Sequence, residues 1–339
     1  MRLQIDKIKT FLKSHTHFVI AIHKNPDGDA LASALMIAVL LRKMKKKYRI
    51  VNQNSLPNRY DFFLDRYINY MVPEFIRVPE QSKFNVVVNQ SFRSGGLIVL
   101  DSSNLKRVGK FAEDLEQFSS VLNIDHHGDN SKFGTLNLIN PNASATAEIL
   151  YELIEKMNLR LPSAFYELTY IGLSTDTGFF SQPNTSSKTL KIFSELLVKK
   201  IDIVFLNKIL HQMKINFLKL TGMVLSRLQS QGPLAWSYFS LADLKKSKLN
   251  VSDTESVTEI MGGIQDVPVI IVFKQMSRAK VKISFRSKIG YGVLSVAQHF
   301  GGGGHENAAG CETKGSLKEV MEKVVKFALK YYANLEKGI

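Results

Sequence analysis

The sequence predicts an α/β protein of two domains: an N-terminal domain with a mostly parallel sheet flanked by helices, and a smaller C-terminal α/β domain with a mixed sheet. Length is the first reason. The chain has 339 residues, beyond the ~250–300 at which single hydrophobic cores stop growing. The second is alternation. Short apolar runs and helical patterns take turns through the first half, as they do in βαβ units. The third is a change of character after about residue 190, where helical periodicity takes over before a group of longer strand-like runs.

Taken in order, residues 18–22 (FVIAI) are a β-prone run that enters the polar turn HKNPDGD. The following segment reads as a helix whose RKMKKK end (42–47) suits the negative end of its dipole. Residues 96–101 (GLIVLD) and 121–127 (VLNIDHH) are two more buried-strand patterns, ending in Asp101 and in Asp125-His126-His127. Residues 144–157 read as an amphipathic helix. Residues 168–180 read as another apolar run, ending in a small-residue turn that carries Asp176. Acidic residues and histidines thus recur at the carboxyl ends of apolar runs, where open α/β sheets place their ligand sites. Residues 188–230 are helical in pattern, and WSYFS, VPVIIVFKQM and KVKISFRS then read as strands. The glycine-rich stretch FGGGGHENAAG (300–310), whose NAAG portion is compatible with helix, leads to a final helix over 316–336. The expected boundaries are 1–195 for the first domain, 196–220 for a helical linker and 221–339 for the second domain.

Composition narrows the classes. Hydrophobic residues make up 45% and charged residues 22% of the chain, ordinary for a soluble globular protein. A single cysteine, Cys311, permits no internal disulfide. The longest apolar stretch is too short to span a membrane, and the N-terminus lacks a cleavage-site pattern. A soluble cytoplasmic protein with no membrane partner is expected. The net charge of +15 agrees with an anionic partner. The lysine runs at 42–47, 198–200 and 244–248 read equally well as solvated helix ends. No basic run interleaved with aromatics stands out, so no stable complex with long nucleic acid is expected.

His23, Asp27, Asp29, Asp101, Asp125, His126, His127 and Asp176, gathered on one sheet edge, would carry more negative charge than burial tolerates without cations. Imidazole mixed with carboxylate suits Mn²⁺, Fe²⁺ or Zn²⁺ rather than Ca²⁺. The number of donors exceeds one tetrahedral site, and two metals sharing a carboxylate account for it. Each motif alone has a plainer reading: Asp29 as a helix N-cap, Asp27 as a turn residue, Asp101 as a strand end. Their combination and order favour metal. The four glycines offer unhindered N–H groups for a phosphate or carboxylate, and Arg286 can fork onto a phosphate. His15, His17, His211 and His299 lack such company and read as surface or packing residues.

In this order the motifs resemble the DHH phosphoesterases, in the stand-alone subgroup with a DHH-associated C-terminal domain. The resemblance rests on His23-Lys-Asn-Pro-Asp27-Gly-Asp29, Asp101-Ser-Ser-Asn104-Leu-Lys-Arg107, Asp125-His126-His127 and Ser174-Thr-Asp176-Thr-Gly178. Further along, Phe285-Arg286-Ser287 and Gly301-Gly302-Gly303-Gly304-His305 with Ala308-Ala309-Gly310 extend it to nearly the whole chain. It implies a manganese-dependent phosphodiesterase with two Mn²⁺ per active site, in a cleft between the domains. One ion would be held by His23, Asp27 and Asp101, the other by Asp29, Asp101, His126 and Asp176, with Asp101 bridging. His127 would face the substrate phosphate, and Asp125 would orient an imidazole. Asp101, His126 and His127 would form the catalytic group. Asn104, where many relatives have an acidic residue, Arg107, Arg286, Gly302, Gly303, Gly304 and His305 would join His127 in binding substrate. The implied substrates are short adenine nucleotides or di-ribonucleotides: pApA and other nano-RNA, cyclic-di-AMP, or pAp. The competing readings are a dedicated cyclic-di-AMP phosphodiesterase and a RecJ-like single-strand exonuclease. A homodimer is left open.

Overall fold

The computed structural model describes residues 2–53, 56, 58–72, 74–77, 92, 94–109, 112–115, 118–249 and 251–336. They fall into two compact units, Met1–Gln212 and Met213–Ile339.

The first unit is built on β1 (His17–Ala21), β2 (Lys47–Asn52), β3 (Phe75–Arg77), β4 (Gly96–Leu100), β5 (Val121–Asp125) and β6 (Leu136–Ile139). Their order is β3-β2-β1-β4-β5-β6, and every neighbouring pair is parallel. β4 and β5 are buried at every residue, as strands covered on both faces are. The sheet grows outward one way from β1 and the other way from β4. That reversal is a topological switch point, where open α/β sheets bind ligands beyond the carboxyl ends of their strands.

Helix Gly28–Lys43 is buried from Gly28 through Leu41. It lies against helices Thr146–Met157 and Ser163–Asp176. Glycine permits the close approach. A Cβ on Gly172 would lie 2.5 Å from the Ala147 Cβ and 2.7 Å from Asp29 Oδ1. Asp176 ends a helix: the apolar run of residues 168–180 begins inside helix Ser163–Asp176. The helix Ser163–Asp176 has Leu168 through Ser174 all buried. A short run that is apolar all round has no period to separate buried strand from buried helix.

The second unit holds β7 (Gln229–Gln231), β8 (Leu234–Phe239), β9 (Val269–Ser277), β10 (Lys280–Ser287), β11 (Gly303–His305) and β12 (Ala308–Lys314), in the order β11-β12-β10-β9-β8-β7. Only β8 and β9 run parallel, so the sheet is mixed. The predicted helix-compatible NAAG is a correction: Ala308–Gly310 begin β12, because the chain turns back on β11 and pairs with it. The glycines serve this path. Gly301, at φ +74°, follows helix Leu294–His299. Its N–H donates to Gln298 and that of Gly302 to Ala297, each at 2.9 Å, the hydrogen-bond pair of a Schellman cap. A Cβ on Gly304 would lie 2.5 Å from the Ala308 carbonyl oxygen.

The expectation of no basic run interleaved with aromatics also needs correction. Residues 323–332 (KVVKFALKYY) are such a run, inside helix Leu317–Glu336. Phe327 stacks on His299 with centroids 3.8 Å apart and on Tyr331 at 6.3 Å. Lys323 Nζ stands 5.7 Å from the Phe300 ring. The run itself is contiguous in the sequence; what the fold adds is His299, which helix Leu294–His299 brings onto Phe327. No described helix is long and apolar enough to cross a membrane.

Candidate metal centre

His23 follows β1, Asp101 follows β4, and Asp125-His126-His127 close β5. The parallel sheet therefore delivers them to one edge. Asp27 and Asp29 open the helix after β1, and Asp176 reaches the same place from the end of Ser163–Asp176. The donor atoms form groups within 4.8 Å of one another: His23 with Asp27 and Asp101, Asp29 with His126 and Asp176, and Asp101 with His126 and His127.

Asp101 sits between the first two groups. Its Oδ2 lies 3.5 Å from His23 Nε2, and its Oδ1 lies 3.6 Å from His126 Nε2. The two oxygens thus face different imidazoles. The residue has φ +53°, a left-handed conformation that Asp tolerates better than most residues. Asp27 Oδ1 accepts the Ala30 N–H at 3.0 Å, so Asp27 caps its own helix while Oδ2 stays 3.7 Å from His23. This corrects the plain reading, which gave the cap of this helix to Asp29 and a turn to Asp27; the capping and ligand roles of Asp27 use different oxygens.

Asp29 is almost wholly buried. Its Oδ2 accepts the Thr146 N–H at 2.7 Å, and its Oδ1 accepts the Ala147 N–H at 3.0 Å. The helix Thr146–Met157 has Ala145 at its N-cap, with no side-chain cap of its own. Asp29 supplies that cap from a distant segment.

Hydrogen bonds orient both imidazoles of the His-His pair. His126 Nδ1 donates to the Ala143 carbonyl at 3.3 Å, which leaves Nε2 facing Asp101 and Asp176, the latter at 3.5 Å. His127 Nδ1 meets Asp125 Oδ1 at 2.7 Å, and Asn130 donates to Asp125 Oδ2 at 2.6 Å. Asp125 is fully buried. It thus holds the His127 ring, leaving Nε2 as that ring's unassigned nitrogen. Asn184 donates to the Asp176 carbonyl at 3.1 Å and to its Oδ2 at 3.4 Å. Sequence reasoning does not single out Asn130 or Asn184. Their only signal is an amide shortly after a candidate motif.

The charges of the cluster favour a cation. Burial opposes protonation of His23, but Asp101 and Asp27 outweigh it and push the imidazole up to about 10. Burial also works against the Asp27 carboxylate, yet His23 holds it well below the usual range. Burial pushes Asp29 and Asp176 well above it, and neighbouring carboxylates add to the rise: chiefly Asp101 for Asp29, Asp27 for Asp176. Such a site draws protons in place of a cation. A divalent ion fits on independent grounds. His23 Nε2 is buried with no hydrogen-bond partner, and the mixed imidazole–carboxylate donors are those of Mn²⁺, Fe²⁺ or Zn²⁺.

The remaining candidates fall in both units. Asn104 accepts the Arg107 N–H at 3.3 Å and so caps the turn Leu105–Val108. The Arg107 carbonyl accepts the Lys24 N–H at 2.8 Å and ties that turn to the loop after β1. In the second unit, Arg286 on β10 and His305 on β11 both pair with Ala308 of β12. They share one row across three strands, although the His305 side chain lies outside the described residues. Of the histidines expected to pack, His15, His17, His211 and His299 each lie against a phenylalanine ring.

Family models match both units. The DHH family N-terminal domain matches residues 17–173, and the DHHA1 domain matches residues 234–334. The chain is 29% identical over 311 residues to the bifunctional oligoribonuclease and PAP phosphatase NrnA of Thermus thermophilus, covering 90% of this chain and 87% of that protein. The protein of the same name from Bacillus subtilis is 27% identical over 315 residues, covering 91% and 92%. An exopolyphosphatase-related protein from Bacteroides fragilis, known from its crystal structure, matches with a TM-score of 0.88 at 25% identity, over 99% of this chain and 98% of that one. With histidines and carboxylates at the strand ends of the first unit and the glycine–histidine strand in the second, the chain belongs to the DHH family, carrying a DHH domain followed by a DHHA1 domain.

Proposed function

We propose that this protein is a manganese-dependent hydrolase of phosphoester bonds in short adenine nucleotides, acting on pApA or other nano-RNA, on pAp, or on cyclic-di-AMP. The observation that carries the reading is the pair of donor groups His23, Asp27, Asp101 and Asp29, His126, Asp176, adjoining through Asp101 and His126, with the His23 Nε2 buried and without a hydrogen-bond partner. The names of the relatives support the substrate class: both act as oligoribonuclease and PAP phosphatase.

His23, Asp27 and Asp101 would hold one Mn²⁺, and Asp29, Asp101, His126 and Asp176 a second. Bound there, the ions would neutralise phosphoryl oxygens and lower the pKa of a water. The chain's own groups do the rest. Ala143 keeps the His126 proton on Nδ1. Asp125 keeps His127 oriented, so that its Nε2 can meet a phosphoryl oxygen. Asn104 and Arg107 would add contacts from the first unit. Arg286, Gly302, Gly303, Gly304 and His305 would hold the far end of the nucleotide from the second. The test is side-by-side turnover of pApA, pAp, cyclic-di-AMP and longer RNA by the metal-stripped chain, before and after Mn²⁺ is restored. Mn²⁺-dependent release of mononucleotide is expected. Failure to cleave any of the four with Mn²⁺ present would sink the reading.

A further inference from the structure

We infer that Thr146 is a positioning residue for the metal centre, and that the bend Ala143–Ala147, which supplies no ligand, sets the arrangement of four of the six. The inference rests on the metallohydrolase reading above and deepens it. Residues 143–147 are all buried. Ala143 presents its carbonyl to His126 Nδ1 at 3.3 Å. The Ser144 carbonyl accepts from Asn184 Nδ2 at 2.9 Å, and that same amide meets Asp176. Thr146 and Ala147 give both their N–H groups to Asp29. The Thr146 hydroxyl donates to Asp101 Oδ1 at 3.1 Å. One residue thus ties Asp29 by its backbone and Asp101 by its side chain.

The bend itself is anchored from behind. Glu148 is fully buried. Its Oε2 accepts the Ser144 N–H and the Thr189 hydroxyl, each at 3.2 Å, and Lys188 Nζ lies 3.1 Å from its Oε1. Ser144 Oγ donates to the Asn184 carbonyl at 2.9 Å and also meets Thr189. The bend is held independently of the ligands, so it can act as their template.

The Thr146 hydroxyl has a particular consequence. Asp101 Oδ1 is the oxygen on the His126 side, and Oδ2 the one on the His23 side. A donor on Oδ1 fixes the rotation of the carboxylate and hence how it is shared. Partners of this kind, which touch ligands rather than metal, typically change metal affinity about 10–100-fold when removed.

The experiment titrates Mn²⁺ into the metal-stripped full-length chain, following free Mn²⁺ by its electron paramagnetic resonance signal. Thr146→Val keeps the shape and removes the hydroxyl; Thr146→Ser keeps the hydroxyl. Thr146→Val should bind part of its Mn²⁺ about 10–100-fold more weakly than wild type, and its turnover should climb as Mn²⁺ is raised. Thr146→Ser should stay within a few-fold of wild type. If Thr146→Val does not fold, Thr146→Ala against Thr146→Ser makes the same comparison. Equal Mn²⁺ binding by the hydroxyl-free variant and wild type would overturn the inference alone, as would a serine variant as impaired as the valine one. A wild-type chain that binds no Mn²⁺ would overturn the metallohydrolase reading, and this inference with it.

Discussion

The two sheets bring residues together by different means. In the first unit every strand runs the same way, so β1, β4 and β5 end on one edge. His23, Asp101 and the Asp125-His126-His127 run meet there because each follows its strand. In the second unit neighbouring strands mostly oppose each other, and no edge collects their ends. Arg286 and His305 are aligned instead by hydrogen-bond register, through Ala308. Convergence by topology tolerates local change along a strand. Alignment by register does not, since a one-residue slip turns every side chain to the other face. The glycines around β11 protect that register by allowing the close backbone approach at Gly302 and Gly304.

The sharpest break in this comparison should come from Asp101→Ala. Among the described residues it removes the carboxylate that faces both His23 and His126. If several kcal/mol of charge stabilisation depend on the ions, turnover should fall on the order of a thousand-fold. Metal content should fall with it. A variant with normal Mn²⁺ content and normal turnover would remove Asp101 from the centre. Arg286→Ala or His305→Ala should behave differently. Metal content should stay intact, while a lost charge-assisted phosphate contact costs ~1.5–3 kcal/mol of affinity or transition-state stabilisation. Loss of manganese from either variant would mean that the second unit supports the metals and not the nucleotide.

A smaller effect concerns pH in the metal-free chain. Asp29 and Asp176 are held above the ordinary 3.8, and His23 is pushed up from 6.5 to about 10. Each favours its protonated form when folded. The stability they contribute is present at low pH and is lost as pH rises, for His23 from 6.5 through about 10. Asp243 in the second unit is the reverse case. Bonds from Arg227 pull it down to about 2, so its contribution is present above 3.8 and lost as pH falls through about 2. Amide exchange followed unit by unit between about pH 6 and about pH 9 should show the first unit loosening and the second unchanged. Mn²⁺ affinity should rise over the same interval, because His23 must release its proton to bind. Affinity independent of pH would show that His23 is not a ligand.

The smallest expected effect is on substrate length. If Arg286 and the β11 strand read the far end of a short substrate, kcat/KM should be highest for a dinucleotide and should not rise for RNA of about five or about twenty nucleotides. The stacked His299, Phe327 and Tyr331 beside Lys323 are the feature that opposes this expectation. Rates that grow with length and collapse with salt would mean that such a strip holds extended strands.

Much of the centre is legible in the sequence because its residues end apolar runs. A parallel sheet converts that linear pattern into proximity, so the pattern alone is enough to group His23, Asp101, His126 and His127. Asp125 lies where an orienting residue would, bonded to the His127 ring. Asp176 joins the group from the end of a helix that its apolar run does not reveal, because that buried helix carries no period. Glycine content points to an anion nest. The fold shows that Gly301, Gly302 and Gly304 also have structural work, in a helix cap and a close strand pairing.

By itself the sequence determined the two-part α/β architecture, the order of the motifs and the excess of negative charge at one sheet edge. These are properties of spacing and composition, which a linear chain displays directly. Only the tertiary structure decided that Asp29 caps a helix 117 residues away in sequence, that Thr146 links Asp29 to Asp101, and that Arg286 and His305 share a row. Those relations are contacts between segments with no common period. They come into being only when packing fixes which backbone N–H, hydroxyl and strand face each other, and no local pattern encodes that choice.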